Sequence, residues 1–276
     1  DFCLSRGLGD VYKRQILVCV KQVPDTNEIK IDPETNTLVR DGVPSIVNTF
    51  DGYALEAAAR VKDNNPDTKI VVLSMGPAQA ETALRECLAI AADKAYLLTD
   101  RAFGGSDTLA TSYILSQAIR KVESLEGKFD MIFCGKQAID GDTAQVGPQI
   151  AEKLHLPQVT YAADIHKDGD TITVKRMLED GYMTIKVKTP CLLTCIKELN
   201  EPRYMSVGGV FEAYGKPMTT YDYEALKDDP LIDATTIGLK GSPTNIFKSF
   251  TPPQKGAGKM PVSYTHLRAH ETGRNL

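Results

Sequence analysis

Four short apolar runs recur along the chain, at 16–20 (ILVCV), 69–74 (KIVVLS), 95–98 (AYLL) and 129–134 (FDMIFC). Their apolar residues run continuously instead of alternating with polar ones, so each predicts a strand buried on both faces. Segments with helical periodicity separate them. Ala54, Ala57, Ala58 and Val61 share one face of a helix predicted over 52–64, with Asp51 as its cap. Ala80, Ala83, Leu84, Cys87, Leu88 and Ala91 share a face of the next. Gly76-Pro77 starts that helix, at a position where the missing proline N–H costs nothing. Ser106 or Asp107 caps a helix reaching about Val122, and 143–154 reads as a fourth. Strands alternating with amphipathic helices predict a doubly wound, Rossmann-like α/β fold with a mostly parallel sheet. Such sheets bind ligands beyond the carboxyl ends of their strands. The loops after Val20, Ser74, Leu98 and Cys134 are therefore the candidate sites.

Around this core the pattern changes. Residues 29–31 and 38–40 flank Asp-Pro-Glu-Thr-Asn and predict a small hairpin. From about Val159, strand-like segments at 172–174, 184–187 and 191–196 extend the sheet or form a meander. Residues 16–204 make up the α/β domain. Beyond Tyr204 the chain is rich in Gly, Pro, Thr and Lys, and 205–260 reads as a docking loop and an arm that gains its order on a partner. The ends, 1–15 and 261–276, share no pattern with the interior and resemble translated sequencing-adapter DNA. Both are set aside from fold reasoning.

A net charge of −4 argues against a nucleic-acid binder. No apolar run is long enough to span a membrane. Cys19 and Cys134 lie in strand-like runs and Cys87 on an apolar helix face, the usage of buried hydrophobes in a reduced, cytoplasmic protein. Cys191 and Cys195 form an isolated C-x3-C without a second ligand pair, so no metal site is expected.

Two loops can carry chemistry. The one after the fourth strand, 135–147, combines small residues, hydroxyl and amide donors and a helix start, which suits a phosphate; an ordinary capped turn is the alternative. It lacks the G-K-[ST] of a Walker loop, and no G-x-G-x-x-G follows the first strand. The loop at 99–108 holds Gly104 and Gly105, which let a ligand approach the backbone, and Ser106 and Thr108, which can bond an anion. Its likeness to the pyrophosphatase loop of adenylating enzymes fails on position, since that loop follows a first strand. Asp140 and Asp142 read as loop supports, because two acids facing a diphosphate would repel it. No catalytic acid or base is assigned.

Several long motifs then point one way. GKQAID at 135–140, SMGPAQAE at 74–81, LNEPRY at 199–204 and VKRMLEDGYMTIKVKTPCLLT at 174–194 resemble the beta subunit of electron-transfer flavoproteins. The resemblance runs from about Ile16 to about Met260. One departure is Met183, where the family's signature usually has Glu or Gln. The resemblance implies a heterodimer with a larger alpha subunit that binds FAD. In simple members the beta subunit binds AMP in a structural role. In electron-bifurcating members a second FAD takes that place and accepts hydride from NADH. FGGSDTLATS at 103–112 resembles the bifurcating branch, which favours FAD; AMP remains the alternative. Residues carried over to the cofactor pocket are Cys19, Asn48, Thr49, Phe50, Asp51 and Met75. Ser106, Asp107 and Thr108 join them, as do Gly135, Gln137, Ala138, Ile139, Asp140, Gly141, Asp142, Thr143, Ala144, Gln145 and Val146. The resemblance also implies docking on acyl-CoA dehydrogenase-type partners just after N-E-P-R-Y, through Val207 and Phe211; the plainer alternative packs both residues on the domain. A non-redox nucleotide-binding or sensing module is the competing class.

Overall fold

A computed structural model of the chain describes residues 14–25, 44–168, 171–228, 232–244 and 256. The predicted hairpin at 29–40, residues 1–13 and 261–276 of the end segments, and 229–231, 245–255 and 257–260 of the arm lie outside the described residues. All described residues except Gly256 belong to one compact unit.

The first half winds a sheet. In order come β1 (Gln15–Cys19), β2 (Gln22–Pro24), β3 (Ser45–Val47), α1 (Thr49–Asn64), β4 (Lys69–Met75), α2 (Glu81–Ile90), β5 (Lys94–Leu98), α3 (Thr108–Glu126), β6 (Met131–Gly135) and α4 (Val146–Leu154). The second half adds β7 (Gln158–Asp168), β8 (Thr171–Met177), β9 (Tyr182–Lys188), β10 (Cys191–Cys195), α5 (Val207–Ala213), β11 (Met218–Tyr221), α6 (Tyr223–Lys227) and α7 (Gly238–Gly241). The main sheet has the order β11-β5-β4-β1-β6-β10-β7-β8-β9. Strands from β11 to β7 pair in parallel, whereas β7, β8 and β9 form an antiparallel meander. β2 and β3 pair separately as an antiparallel ribbon.

The continuous apolar runs serve both faces of the sheet. Ile16, Val18, Ile70 and Val72 pack with Ala54, Leu55, Leu84 and Leu88 of α1 and α2. Leu17, Val71 and Leu73 turn the other way, onto Ile114, Ala118 and Ile119 of α3 and Ile150 of α4. Cys87, Cys191 and Cys195 are buried core residues. Among the described residues no helix is long and apolar enough to cross a membrane, and no group of three His, Cys, Asp or Glu side chains is placed to hold a metal.

Order also reaches past Tyr204 within the chain alone. β11 pairs with β5, from Met218 opposite Ala95 to Tyr221 opposite Leu98. The ring of Tyr221 stacks on that of Tyr96. β11, α6 and α7 thus form within the chain itself, beyond the predicted end of the α/β domain at 204.

Candidate functional site

The strand order reverses between β1 and β6. The chain leaves β1 for β4 on one side and returns to β6 on the other, which opens a crevice at their carboxyl ends. Cys19 and Cys134 are register partners there. The hydrogen bond with Cys19 and burial together hold the Cys134 thiol well above its ordinary range.

Asp51 is the central strut. The Lys21 N–H donates to its Oδ2 at 2.7 Å and the Gly135 N–H to its Oδ1 at 3.1 Å, so one carboxyl joins the exits of β1 and β6. The helix cap predicted at this position is corrected: α1 begins at Thr49 and Asp51 lies inside its first turn. Its oxygens reach the two strands instead of its own helix. Burial pushes the carboxyl up to about 7, against hydrogen bonds from Asn48, Lys21 and Gly135. Gly135 has to be glycine, because a Cβ would lie 2.3 Å from Asp51 Oδ1 and 2.7 Å from the Phe50 carbonyl carbon.

Asn48, the residue before α1, does not cap it either. Its Nδ2 donates to the Gln137 carbonyl at 2.8 Å and its Oδ1 accepts from the Ile139 N–H at 3.0 Å. Asn48 thereby clamps both sides of Ala138. Beyond it, Gln137 Nε2 donates to Asp142 Oδ1 at 2.6 Å. Lys21 Nζ donates to both oxygens of Asp140, at 2.7 and 2.8 Å. The two acids support the loop, as their spacing suggested. Asp142 and Ala144 adopt positive φ, 50° and 51°, so the chain cannot enter a helix there. α4 consequently starts at Val146 and not at 143, and Gln145 gives it no side-chain cap. Thr143 and Gln145 are exposed, and Gly147 lies close against Thr194 and Cys134.

Cys19, Asn48, Thr49, Phe50, Asp51 and the 135–146 loop thus form one cluster. Met75 ends β4 beside it, and the buried Ser74 Oγ has no hydrogen-bond partner. α1 and α4 each start beside the end of β6 without a side-chain cap, a setting in which first-turn N–H groups can receive an anion. That arrangement suits a ligand carrying phosphate.

The second loop is built differently. Asp107 caps α3 by accepting from the Ala110 N–H at 3.0 Å, so a carboxylate already sits at that helix start. Ser106 Oγ donates to the Phe103 carbonyl and accepts from the Gly238 N–H at 3.0 Å. Gly105 has φ 74°, and a Cβ on it would lie 2.9 Å from Leu239 Cβ. Its missing side chain makes room for the chain's own 238–244 segment, where the sequence suggested room for a ligand. Thr108 alone reaches the cluster, its hydroxyl donating to Gln145 Oε1 at 3.0 Å.

Sequence reasoning passed over Lys21. Its position directly after the first strand, where the strand-end rule points, was the available signal.

A separate feature lies on α5. Val207 and Phe211 are each 77% exposed, so neither packs into the core. Tyr204, Val210 and Tyr214 are exposed around them. A Cβ on Gly209 would lie 2.3 Å from the Ala89 carbonyl oxygen, so α5 rests backbone to backbone on the end of α2. Arg85 donates to the Ala213 carbonyl at 2.9 Å, and Lys216 Nζ to those of Leu88 and Ala92. The N-E-P-R-Y segment leading into α5 is pinned to α1. Asn200 Nδ2 donates to the Tyr53 carbonyl, and Arg203 pairs with Glu56 at 2.7 Å and Asp63 at 2.6 Å.

Residues 35–225 match the family described as the electron transfer flavoprotein domain. The caffeyl-CoA reductase-Etf complex subunit CarD of Acetobacterium woodii is 56% identical over 246 residues, covering 89% of this chain and 91% of that protein. The acryloyl-CoA reductase electron transfer subunit gamma of Anaerotignum propionicum is 59% identical over 248 residues, with coverage of 89% and 91%. An electron transfer flavoprotein subunit beta from Megasphaera elsdenii is 55% identical over 246 residues, with coverage of 88% and 90%.

Proposed function

This chain belongs to the electron transfer flavoprotein family as a beta-subunit member, and we propose that it pairs with an alpha subunit and binds FAD at the carboxyl ends of β1, β4 and β6. NADH is the proposed hydride source, with the electron pair divided between two acceptors. An acyl-CoA dehydrogenase-type protein is the proposed redox partner, docked on α5. The observation that carries the cofactor reading is that α1 and α4 both start without side-chain caps beside the end of β6, where Asn48 and Asp51 are buried. The relatives named as parts of a caffeyl-CoA reductase complex and of an acryloyl-CoA reductase support a partner acting on CoA thioesters.

When bound, the flavin would supply the redox chemistry, taking electrons in pairs and releasing them singly. The chain's own residues bind and orient. The first-turn N–H groups of α1 and α4 face phosphate charge. Asn48 fixes the loop at Gln137 and Ile139, and Asp51 holds α1 against the strand exits.

One observation favours AMP as a second reading: the α3 start is occupied by Asp107 and by contacts to 238–244, which leaves one anion-receptive corner instead of two. Cofactors released from the purified heterodimer decide between them. Two FAD per heterodimer are expected. One FAD with one AMP favours the structural-nucleotide reading, and a heterodimer without flavin returns the chain to a non-redox nucleotide module. Anaerobic titration with NADH tests the donor, and a spectrum unbleached at saturation overturns it.

A further inference from the structure

Lys21 stands immediately after β1, and its main chain is fully engaged. Its N–H donates to Asp51 Oδ2 and its carbonyl accepts from the Asn48 N–H at 2.8 Å. The side chain crosses the switch point in the other direction, to both oxygens of Asp140, across 119 residues of sequence. The Asp140 side chain is only 13% exposed, whereas that of Lys21 is 44% exposed. Asp140 follows Ile139, whose N–H is held by Asn48, in the loop leading to the uncapped start of α4. An unneutralised carboxylate at this point would repel a phosphate. Among the described residues, no other cation near the loop pairs with it. Lys136 lies over the rings of Phe50 and Tyr161, and Asp142 is bonded to the neutral amide of Gln137.

Resting on the nucleotide reading above, we propose that Lys21 is a positioning residue for the cofactor. It cancels the charge of Asp140 and holds the 137–145 loop so that the first turn of α4 presents its N–H groups to phosphate, without Lys21 itself ligating the nucleotide. A single exposed ion pair is usually worth little. The two-point geometry onto a mostly buried carboxylate sets this one apart.

The test is a double-mutant cycle on the full chain, titrated calorimetrically with AMP and with FAD. Lys21→Met keeps the main-chain bonds to Asp51 and Asn48, and it is expected to weaken binding about tenfold, or ~1.4 kcal/mol. Lys21→Arg, which retains the charge, stays within about threefold of the wild type. Asp140→Asn, which removes latch and repulsion together, weakens binding less than Lys21→Met does. The double variant Lys21→Met/Asp140→Asn then binds as Asp140→Asn does, because nothing remains to neutralise. In the unliganded chain, amide exchange at 137–146 is faster in Lys21→Met than in the wild type. Unchanged affinity in Lys21→Met overturns the proposal. A full tenfold loss persisting in the double variant also overturns it, by making Lys21 a direct ligand. If Lys21→Met alone does not fold, the comparison of Asp140→Asn with the double variant decides in the same way. A wild-type chain that binds neither nucleotide sinks the cofactor reading and this one with it, whereas wild-type binding with an indifferent Lys21 sinks this one alone.

Discussion

At the amino ends of β4 and β5, the Glu126 carboxylate receives the ammonium groups of Lys69 and Lys94 and the Tyr96 hydroxyl. Next to it, Gln15 Nε2 donates to the Glu126 carbonyl and the Gln15 N–H to Asp130. Asp93 likewise takes Lys62 and the Ile70 N–H. At the carboxyl ends of β1 and β6 the buried acid is Asp51, which has two backbone N–H donors and no cation in contact. Burial favours a lower charge on Glu126 too, but its three donors override it and hold the carboxyl down at about 2, whereas Asp51 is pushed up to about 7. Two acids on helices packed at opposite ends of one sheet are thus tuned in opposite directions. The amino end is closed by paired charge and serves stability. The carboxyl end leaves two helix starts uncapped and Asp51 poorly compensated, the pattern expected of the proposed ligand site.

The largest effect should come from breaking the closed end. Glu126→Gln leaves two ammonium groups facing each other without their shared carboxylate and should cost about 2–4 kcal/mol of stability. The acid side of the pH profile tests the same pairing. The folded Glu126 pKa lies below its ordinary value, so its contribution is present above about 4.5 and is lost as pH falls toward about 2. Urea unfolding at several pH values should show that slope in the wild type and a flatter one in the variant. Nucleotide affinity at the far end of the sheet should not change, and a large change there would break the separation of the two ends.

Gly135→Ala acts on the open end. Its methyl would have to displace Asp51 and the start of α1, costing roughly 1–3 kcal/mol and reducing nucleotide affinity as well. Unfolding curves read beside titrations would separate this from Glu126→Gln, which loses stability alone. A variant that is destabilised yet binds nucleotide normally would show that the crossing at Gly135 is structural only.

The ends were not equally legible in the sequence. The runs at 16–20, 69–74, 95–98 and 129–134 announced β1, β4, β5 and β6 because burial on both faces leaves an unbroken apolar signal. β7 (QVTYAADIHKD) carries no such signal, mixing polar and apolar residues and bending through a positive φ at Tyr161. β11 and α5 were hidden because their partners are remote, β5 for one and the end of α2 for the other. The strand-end rule pointed to these loops, but not to their internal wiring. Asp51 resembles a helix cap until Gly135, 84 residues away, claims its carboxyl. Gly105 resembles room for a ligand until Leu239 fills it.

Asp51 should also give the open end a pH signature of the opposite sign. Its folded pKa lies above the ordinary 3.8, so its contribution is fully present below that value and is lost as pH rises through about 7. A complete shift of that size corresponds to about 4 kcal/mol, and with native-state relaxation about 2 kcal/mol of lost stability between pH 4 and 7 is a reasonable expectation. Asp51→Asn removes the titrating group and should flatten that limb while leaving the limb below pH 4.5, which belongs to Glu126. A wild-type profile with no decline between pH 4 and 7 would show that the bonds from Lys21 and Gly135 compensate Asp51 fully.

The smallest expected effect concerns α5 and tests whether docking is independent of the cofactor end. α2 runs from the carboxyl end of β4 back toward the amino end of β5, and α5 rests on its last turn through Gly209 and Ala89. The exposed Val207 and Phe211 therefore lie toward the closed end of the sheet, away from the 135–146 loop. A charge at Val207 meets solvent and should alter folding by only a few tenths of a kcal/mol. An apolar anchor can nevertheless carry much of a small, transient interface. Val207→Asp is expected to leave cofactor content and heterodimer formation intact while slowing electron transfer to the proposed dehydrogenase-type partner about tenfold, equivalent to ~1.4 kcal/mol. Steady-state transfer over a range of partner concentrations would locate the loss in binding. Normal transfer by the assembled variant would remove Val207 as the anchor, and loss of cofactor from it would show that docking and cofactor ends are coupled.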